Sequence, residues 1–346
     1  MNLKNLLLVL CSCIICTLKA QEINITYDYA SAYKLIEIFD SKKLTDQDFK
    51  ELLKLEGTQA YLKKVATFFP NISPETYKEA LKAALNGNFP DNSPYMFKRL
   101  VPLLPETKKL LKQVSENQTV LTQNAVSKLK AYSPTAININ ATVYLTLGVI
   151  GGGWTFDDNP NAFYVDLSSM KGDFLGLSYL STHELYHLVQ YRFMKEINKS
   201  DKVNYLLDQM IREGSATYVA DFSKIEASGS YIDFSKKEYQ RNFRRLETNF
   251  VLFENLIFQA QNDKQADVES LYNIGYSGMY QSPMYYVGYR IIKLVEKYHG
   301  RETLIHLMGK SPKQLFLAYV EAYKNHKEDD EFVPFSESMI RILNSL

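Results

Sequence analysis

Cysteine is scarce in this chain: three in 346 residues, and all of them, Cys11, Cys13 and Cys16, fall within the first 20. Removal of that stretch leaves no thiol, which excludes disulfides, cysteine-ligated metal and a thiol nucleophile. An excess of one charge is lacking too. Forty Lys and Arg stand against 39 Asp and Glu, a net charge of +1, so no basic surplus points to a nucleic-acid partner. Beyond residue 20 no apolar run reaches the ~18 residues of a membrane span, so no transmembrane segment is expected in the mature chain. Internal repeats and low-complexity tracts are also absent, which excludes solenoids and arrays.

What remains is ordinary globular composition, 46% hydrophobic, 13% aromatic and 23% charged, long enough for a sizeable core. The first 20 residues read as a secretory signal. Lys4 gives the positive start, apolar residues follow from Leu6 to Leu18, and Leu18-Lys19-Ala20 forms the cleavage site. Leu10-Cys11-Ser12-Cys13 is a loose lipobox, so lipid anchoring at Cys13 is the rival outcome. Secretion or a periplasmic location is expected. The chain divides into a signal at 1–20, a helical region at 21–135, an α+β core at 136–225 and a helical C-terminal subdomain at 226–346.

In the helical region, apolar residues recur at helix spacing through Tyr33, Ile36, Ile38 and Phe39, then Phe49, Leu52, Leu53 and Leu55. Thr45-Asp46-Gln47-Asp48 is a helix start. The segments 70–74 and 86–90, rich in Pro, Asn and Gly, are turns. The pattern changes at Ile137–Leu147, which alternates and is β-branched, predicting a strand that Gly151-Gly152-Gly153 closes. Asn161–Leu167 is a second strand. Helices are expected over 173–193 and 202–221. A later helical stretch has an apolar face at Val287, Ile291, Leu294, Val295 and Tyr298.

The chemistry lies in His183-Glu184-Leu185-Tyr186-His187. On a helix, residues four apart share a face, so both imidazoles reach one ion, while Glu184 is offset to hold a water. Two histidines and a glutamate in a buried helix would be costly without such a role. Zinc needs a third protein ligand. The long form of the motif places Gly and His where this chain has Gln190 and Phe193, so that form is excluded. Glu213, 26 positions after His187, stands in Arg212-Glu213-Gly214-Ser215-Ala216-Thr217-Tyr218. A turn at Asn198–Asp201 would bring its helix back antiparallel, and small Gly214 and Ala216 would let it approach the first helix closely. Glu196, Asp208 and Asp221 compete as ligands, with Asp221 better suited to orienting a histidine.

This pair of motifs resembles the gluzincin metallopeptidases, and Glu213-Gly214-Ser215-Ala216 is similar to the Glu-Gly-x-Ala of their aminopeptidase branch. The plan of the chain also resembles a poorly characterised secreted bacterial family of zinc-dependent peptidases. Two departures stand: the interval from His187 to Glu213 is longer than in the aminopeptidase branch, and Thr217 falls where the thermolysin-like branch has aspartate. The resemblance implies an α+β gluzincin-like core, a small mixed sheet with two zinc-binding helices, flanked by helical regions. It implies Zn²⁺ held by His183, His187 and Glu213, Glu184 as general base, and a peptide or protein substrate. It further implies an edge strand that holds extended substrate, for which Val143–Leu147 is the candidate. Gly148 and Gly151 to Gly153 would admit a substrate backbone or form a plain corner.

Met284-Tyr285-Tyr286-Val287-Gly288-Tyr289 resembles a tyrosine-glycine segment of related peptidases and makes Tyr285, then Tyr289, the candidates for stabilising an oxyanion. His299, His306 and His326 read as structural, with His299 the one to test. Asn24, Asn117 and Asn140 begin glycosylation triplets. Two other functions fit the same residues: a non-catalytic peptide- or glycan-binding protein on a peptidase scaffold, and a zinc hydrolase of a non-peptide bond.

Overall fold

The computed structural model describes residues 21–156, 158–223 and 225–346. The expected signal at 1–20, with cleavage after Ala20 or lipidation of Cys13, lies outside the described residues. Among these residues fifteen α-helices and one four-stranded sheet form a mostly helical α+β fold.

The sheet begins with a strand inside the stretch expected to be helical, 21–135, although its alternation is plain in the sequence. In β1 (Glu22–Asp28) Ile23, Ile25 and Tyr27 are buried and their neighbours face outward, the period of two that a pleated strand imposes. It runs parallel to β2 (Asn138–Thr146), with Glu22 opposite Asn138 and Asp28 opposite Tyr144. The other strands are β3 (Gly153–Trp154) and β4 (Ala162–Asp166), and the order is β1-β2-β4-β3. β4 is parallel to β2, and β3 is antiparallel to β4. All five residues of β4 are buried, as in a strand covered on both faces.

This topology corrects the expected edge. β2 is interior: Val143 and Tyr144 pair with Tyr27 and Asp28 on one side, and residues 142–146 pair with β4 on the other. The outer strands are β1 and β3. A parallel partner 116 residues away leaves no local trace in β2, which is why the strand read as unpaired.

Six helices cover residues 30–131: α1 (Ala30–Ser41), α2 (Asp46–Lys54), α3 (Glu56–Ala66), α4 (Pro74–Leu85), α5 (Phe97–Glu116) and α6 (Gln118–Ala131). α2 starts where its capping pattern predicts. Thr45 Oγ1 accepts from Asp48 N at 3.0 Å, and Asp48 Oδ2 accepts from Thr45 N at 3.3 Å. Tyr33 is half exposed, so the inward stripe of α1 runs through Leu35, Ile36 and Ile38 instead.

Two long helices follow the sheet, α7 (Phe174–Phe193) and α8 (Lys202–Ala220). Asp173 caps α7 by accepting from Gly176 N at 2.8 Å. It also accepts from Tyr231 N and Ile232 N, tying in the start of α9 (Ser230–Arg244). Between α7 and α8 the chain turns at Asn198–Asp201, where Asn198 Oδ1 accepts from Ser200 N at 2.8 Å. The remaining helices are α10 (Leu246–Asn262), α11 (Val268–Tyr276), α12 (Pro283–His299), α13 (Arg301–Met308), α14 (Pro312–Asn325) and α15 (Glu337–Ser345). The expected face of α12 is buried at Val287, Ile291, Leu294 and Val295. None of these helices is long and apolar enough to cross a membrane.

α8 packs most extensively on α12 rather than on α7. A Cβ on Gly214 would lie 2.4 Å from the Cα and carbonyl carbon of Gly288, and one on Gly288 would lie 2.5 Å from the Met210 carbonyl oxygen. The small residue of the Glu-Gly-x-Ala segment thus serves the α8–α12 crossing. The expectation that Gly214 brings α8 against α7 is corrected: Gly214 faces Gly288 of α12, and α7 reaches α8 through Gln190, which donates to the Arg212 carbonyl and to Ser215 Oγ.

Candidate metal centre

α7 presents His183 and His187 on one face, and α8 turns Glu213 toward them. The Nε2 atoms of the two imidazoles are 3.2 Å apart, and each lies 3.4 Å from Glu213 Oε2. Donors around a tetrahedral zinc with bonds of about 2.1 Å stand about 3.4 Å from one another, so this triangle has the dimensions of three corners of such a site. Glu213 Oε2 is buried and meets no partner in hydrogen-bond geometry, only the two ring nitrogens at 3.4 Å, a position that a cation between them would satisfy. Among the described residues this is the one group of three His, Cys, Asp or Glu whose ligand atoms converge.

The hydrogen bonds around the triangle fix one imidazole in the form that binds a metal. Gln190 is fully buried, and its Nε2 donates to the Arg212 carbonyl and to Ser215 Oγ, both at 2.8 Å. Ser215 Oγ donates onward to the Ile211 carbonyl, which leaves it an acceptor for Gln190. The amide oxygen of Gln190 therefore faces His187 Nδ1 at 2.8 Å, and that nitrogen must carry the proton. The lone pair is left on Nε2, inside the triangle. Sequence reading used Gln190 only to exclude the long motif and missed this role. A buried amide three residues after a motif histidine, on the same helix face, was the available signal.

Electrostatics agree with the geometry. Burial alone would lower His187, but the Glu213 carboxylate, then Glu184, overrides it and holds the imidazole up to about 9 when no metal competes for it. Burial alone would raise Glu213, but His187 and His183 hold its carboxyl well below the usual range. Glu213 is therefore an anion facing two nitrogens, a donor set that suits a divalent cation.

The other predicted residues divide. Glu184 lines a cavity of about 250 Å³ that opens beside His183. Tyr285 lines it too, its ring stacked 5.9 Å from that of His183 and its phenol raised far above the ordinary range by burial, then by Glu213 and Glu184. Tyr289 is not brought to this cavity. It packs edge-on against Tyr218, Tyr239 and Phe243, one helical turn farther along α12 and past the Gly288 crossing. Asp221 does not orient a histidine. It ends α8 and accepts from Ser223 N at 2.9 Å, while Gln190 holds the place expected for it. Asp208 is paired with Arg212 Nε at 2.6 Å, and Glu196 is exposed. His299 Nε2 lies 3.0 Å from the Ala318 carbonyl, a structural contact. A larger cavity of about 710 Å³, between Phe69, Phe89, Met96 and Phe97, shares no residue with the centre.

The glycine segment also divides. Gly148 and Gly153 are required by packing, since a Cβ there would strike the rings of Tyr61 and Phe163. Gly151, at φ +138, and Gly152, beside Leu180 and Tyr231, face more open space. Fully buried Asp166 pins this loop. It accepts from Gly148 N at 3.2 Å and Ile150 N at 2.7 Å, holding Val149 at φ 56, a backbone region that β-branched residues avoid.

This is an α+β chain whose two histidines one helical turn apart, with a carboxylate from a second helix, form a donor set compatible with metal binding. The model of the family described as "Putative zinc dependent peptidase (DUF5700)" matches residues 49–328, and the chain belongs to that family. No curated protein and no solved structure matches it.

Proposed function

We propose that this chain is a secreted or periplasmic zinc-dependent metallopeptidase of gluzincin type. The observation that carries this reading is the donor triangle of His183, His187 and Glu213 with Glu184 at the adjoining cavity. These three side chains would hold Zn²⁺, which supplies Lewis acidity and lowers the pKa of a water. Glu184 follows His183 directly and is offset by about 100° around the helix, off the ligand face, which suits a base and not a ligand. It accepts a proton from the attacking water and returns it to the leaving amine, atom for atom the work of a general acid–base. Tyr285 donates a hydrogen bond to the oxyanion that develops on the attacked carbonyl. Its elevated phenol remains protonated and able to donate. With β2 interior, the outer strand β3 is the element suited to receive an extended peptide beside the cavity.

The test pairs metal analysis with cleavage of a broad peptide library. Glu184→Gln keeps zinc and loses turnover by about a thousandfold or more, at the upper end of general-base effects. Undiminished cleavage by this variant would remove Glu184 from the mechanism. A wild-type protein that holds zinc yet cleaves no peptide would refute the peptidase reading.

A further inference from the structure

The cavity beside the metal centre carries a second carboxylate that the reaction above does not use. Glu238, on α9, lines it together with Tyr179, Tyr231, Phe234 and Tyr286. Tyr286 donates its hydroxyl to Glu238 Oε1 at 3.1 Å, which fixes the carboxylate in the wall. Burial raises the Tyr179 and Tyr231 phenols, and Glu184 and Glu238 both raise them further, so both carboxylates bear on the same aromatic lining. Among the described residues no lysine or arginine lines the cavity. Arg241, on the same helix, and Arg245, just past its end, act on Glu238, and Lys64 bears on Glu184 from α3, all three outside the lining. A carboxylate set among aromatic rings, with no cation among the described residues of the wall, is held at a cost that a bound cation would relieve. Ring faces attract the same charge. At about 250 Å³ the space lies below the roughly 300–1,000 Å³ of pockets that enclose a whole small-molecule ligand, so it suits a single side chain or chain end.

We propose that Glu238 is a specificity-determining residue that binds a cationic nitrogen of the substrate, carried by a lysine or arginine side chain or by a free α-amino group beside the scissile bond. This rests on the peptidase reading, and its test has one arm that does not. In the kinetic arm, matched peptides with arginine or citrulline at each position around the bond, with free or acetylated N-termini, are compared as kcat/KM ratios. The wild type favours the cationic member of a pair by about tenfold or more, and Glu238→Gln, which keeps size and the Tyr286 contact, brings the ratio to near one. In the binding arm, calorimetry compares argininamide, Nα-acetylargininamide and citrullinamide on the purified protein. Argininamide binds at least about tenfold more tightly than citrullinamide, and Glu238→Gln abolishes the difference. Acetylation that spares this preference assigns the side chain as the bound cation, and acetylation that removes it assigns the α-amine. If no peptide is cleaved, the peptidase reading fails and the binding arm still decides. Equal affinity for argininamide and citrullinamide, no argininamide binding at millimolar concentration, or a preference that survives Glu238→Gln would overturn the proposal.

Discussion

Gly214→Ala is the substitution that asks most of the fold around Glu213. The new methyl carbon would stand 2.4 Å from the Cα and carbonyl carbon of Gly288. Carbon atoms in contact prefer about 3.5–4.0 Å, so the two helices must part locally by about 1 Å. Both atoms met are backbone, and no rotamer change relieves the clash. Overpacking of this kind costs about 1–3 kcal/mol, and a rigid helix–helix contact belongs at the top of that range or beyond it. The helix propensity of alanine returns about 1 kcal/mol. A net loss of about 2–4 kcal/mol is expected. Glu213 precedes the clash by one residue, so a displaced α8 also opens the donor triangle. The assay is thermal unfolding with and without zinc, beside zinc affinity from competition with a chromogenic chelator. The Tm falls by several degrees, and zinc affinity drops with it. Gly288→Ala behaves alike, and the double variant is less damaging than the sum, since one separation of the helices accommodates both methyls. A Gly214→Ala protein with unchanged Tm and zinc affinity would refute the close crossing.

Two further outcomes concern the imidazoles. Gln190→Leu removes the acceptor for His187 Nδ1 and weakens zinc by about 10- to 100-fold; equal affinity in a folded variant would show that the amide does not set the tautomer. Zinc must displace a proton from His187, whose folded value is raised from 6.5 to about 9. In the metal-free chain that proton contributes stability fully below pH 6.5, and the contribution is lost as pH rises through about 9. Apparent zinc affinity accordingly climbs about tenfold per pH unit between those limits and then levels off. A profile flat across that interval, measured by competition titration, would contradict the charge coupling between His187 and Glu213.

The candidate metal centre was legible in the sequence because its signal is local. His187 follows His183 by four positions, a helical turn puts both on one face, and the turn at Asn198–Asp201 accounts for the return of Glu213. β2 was legible from its alternation, and β4, α7 and α8 fall where a second strand and two helices were expected. What stayed hidden depends on distant partners. β1 alternates clearly, yet only its parallel neighbour more than 100 residues away makes β2 interior. Gly214 announces a close approach without naming Gly288 as the surface approached. Tyr285 and Tyr289 look equivalent in sequence, four apart on one helix, and the packing of α12 against α8 separates them. Glu238 follows Lys236 and Lys237 and reads as one charge of an exposed helix until α9 is seen to cover the cavity.

The central claim is that His183, His187 and Glu213 grip one divalent cation. Zinc content per chain after dialysis, measured by plasma mass spectrometry for the wild type and for Glu213→Ala, tests it most directly. One zinc per wild-type chain, and a folded variant that loses most of it, is the predicted result. Equal zinc in the two proteins, or none in the wild type after zinc reconstitution, would contradict it.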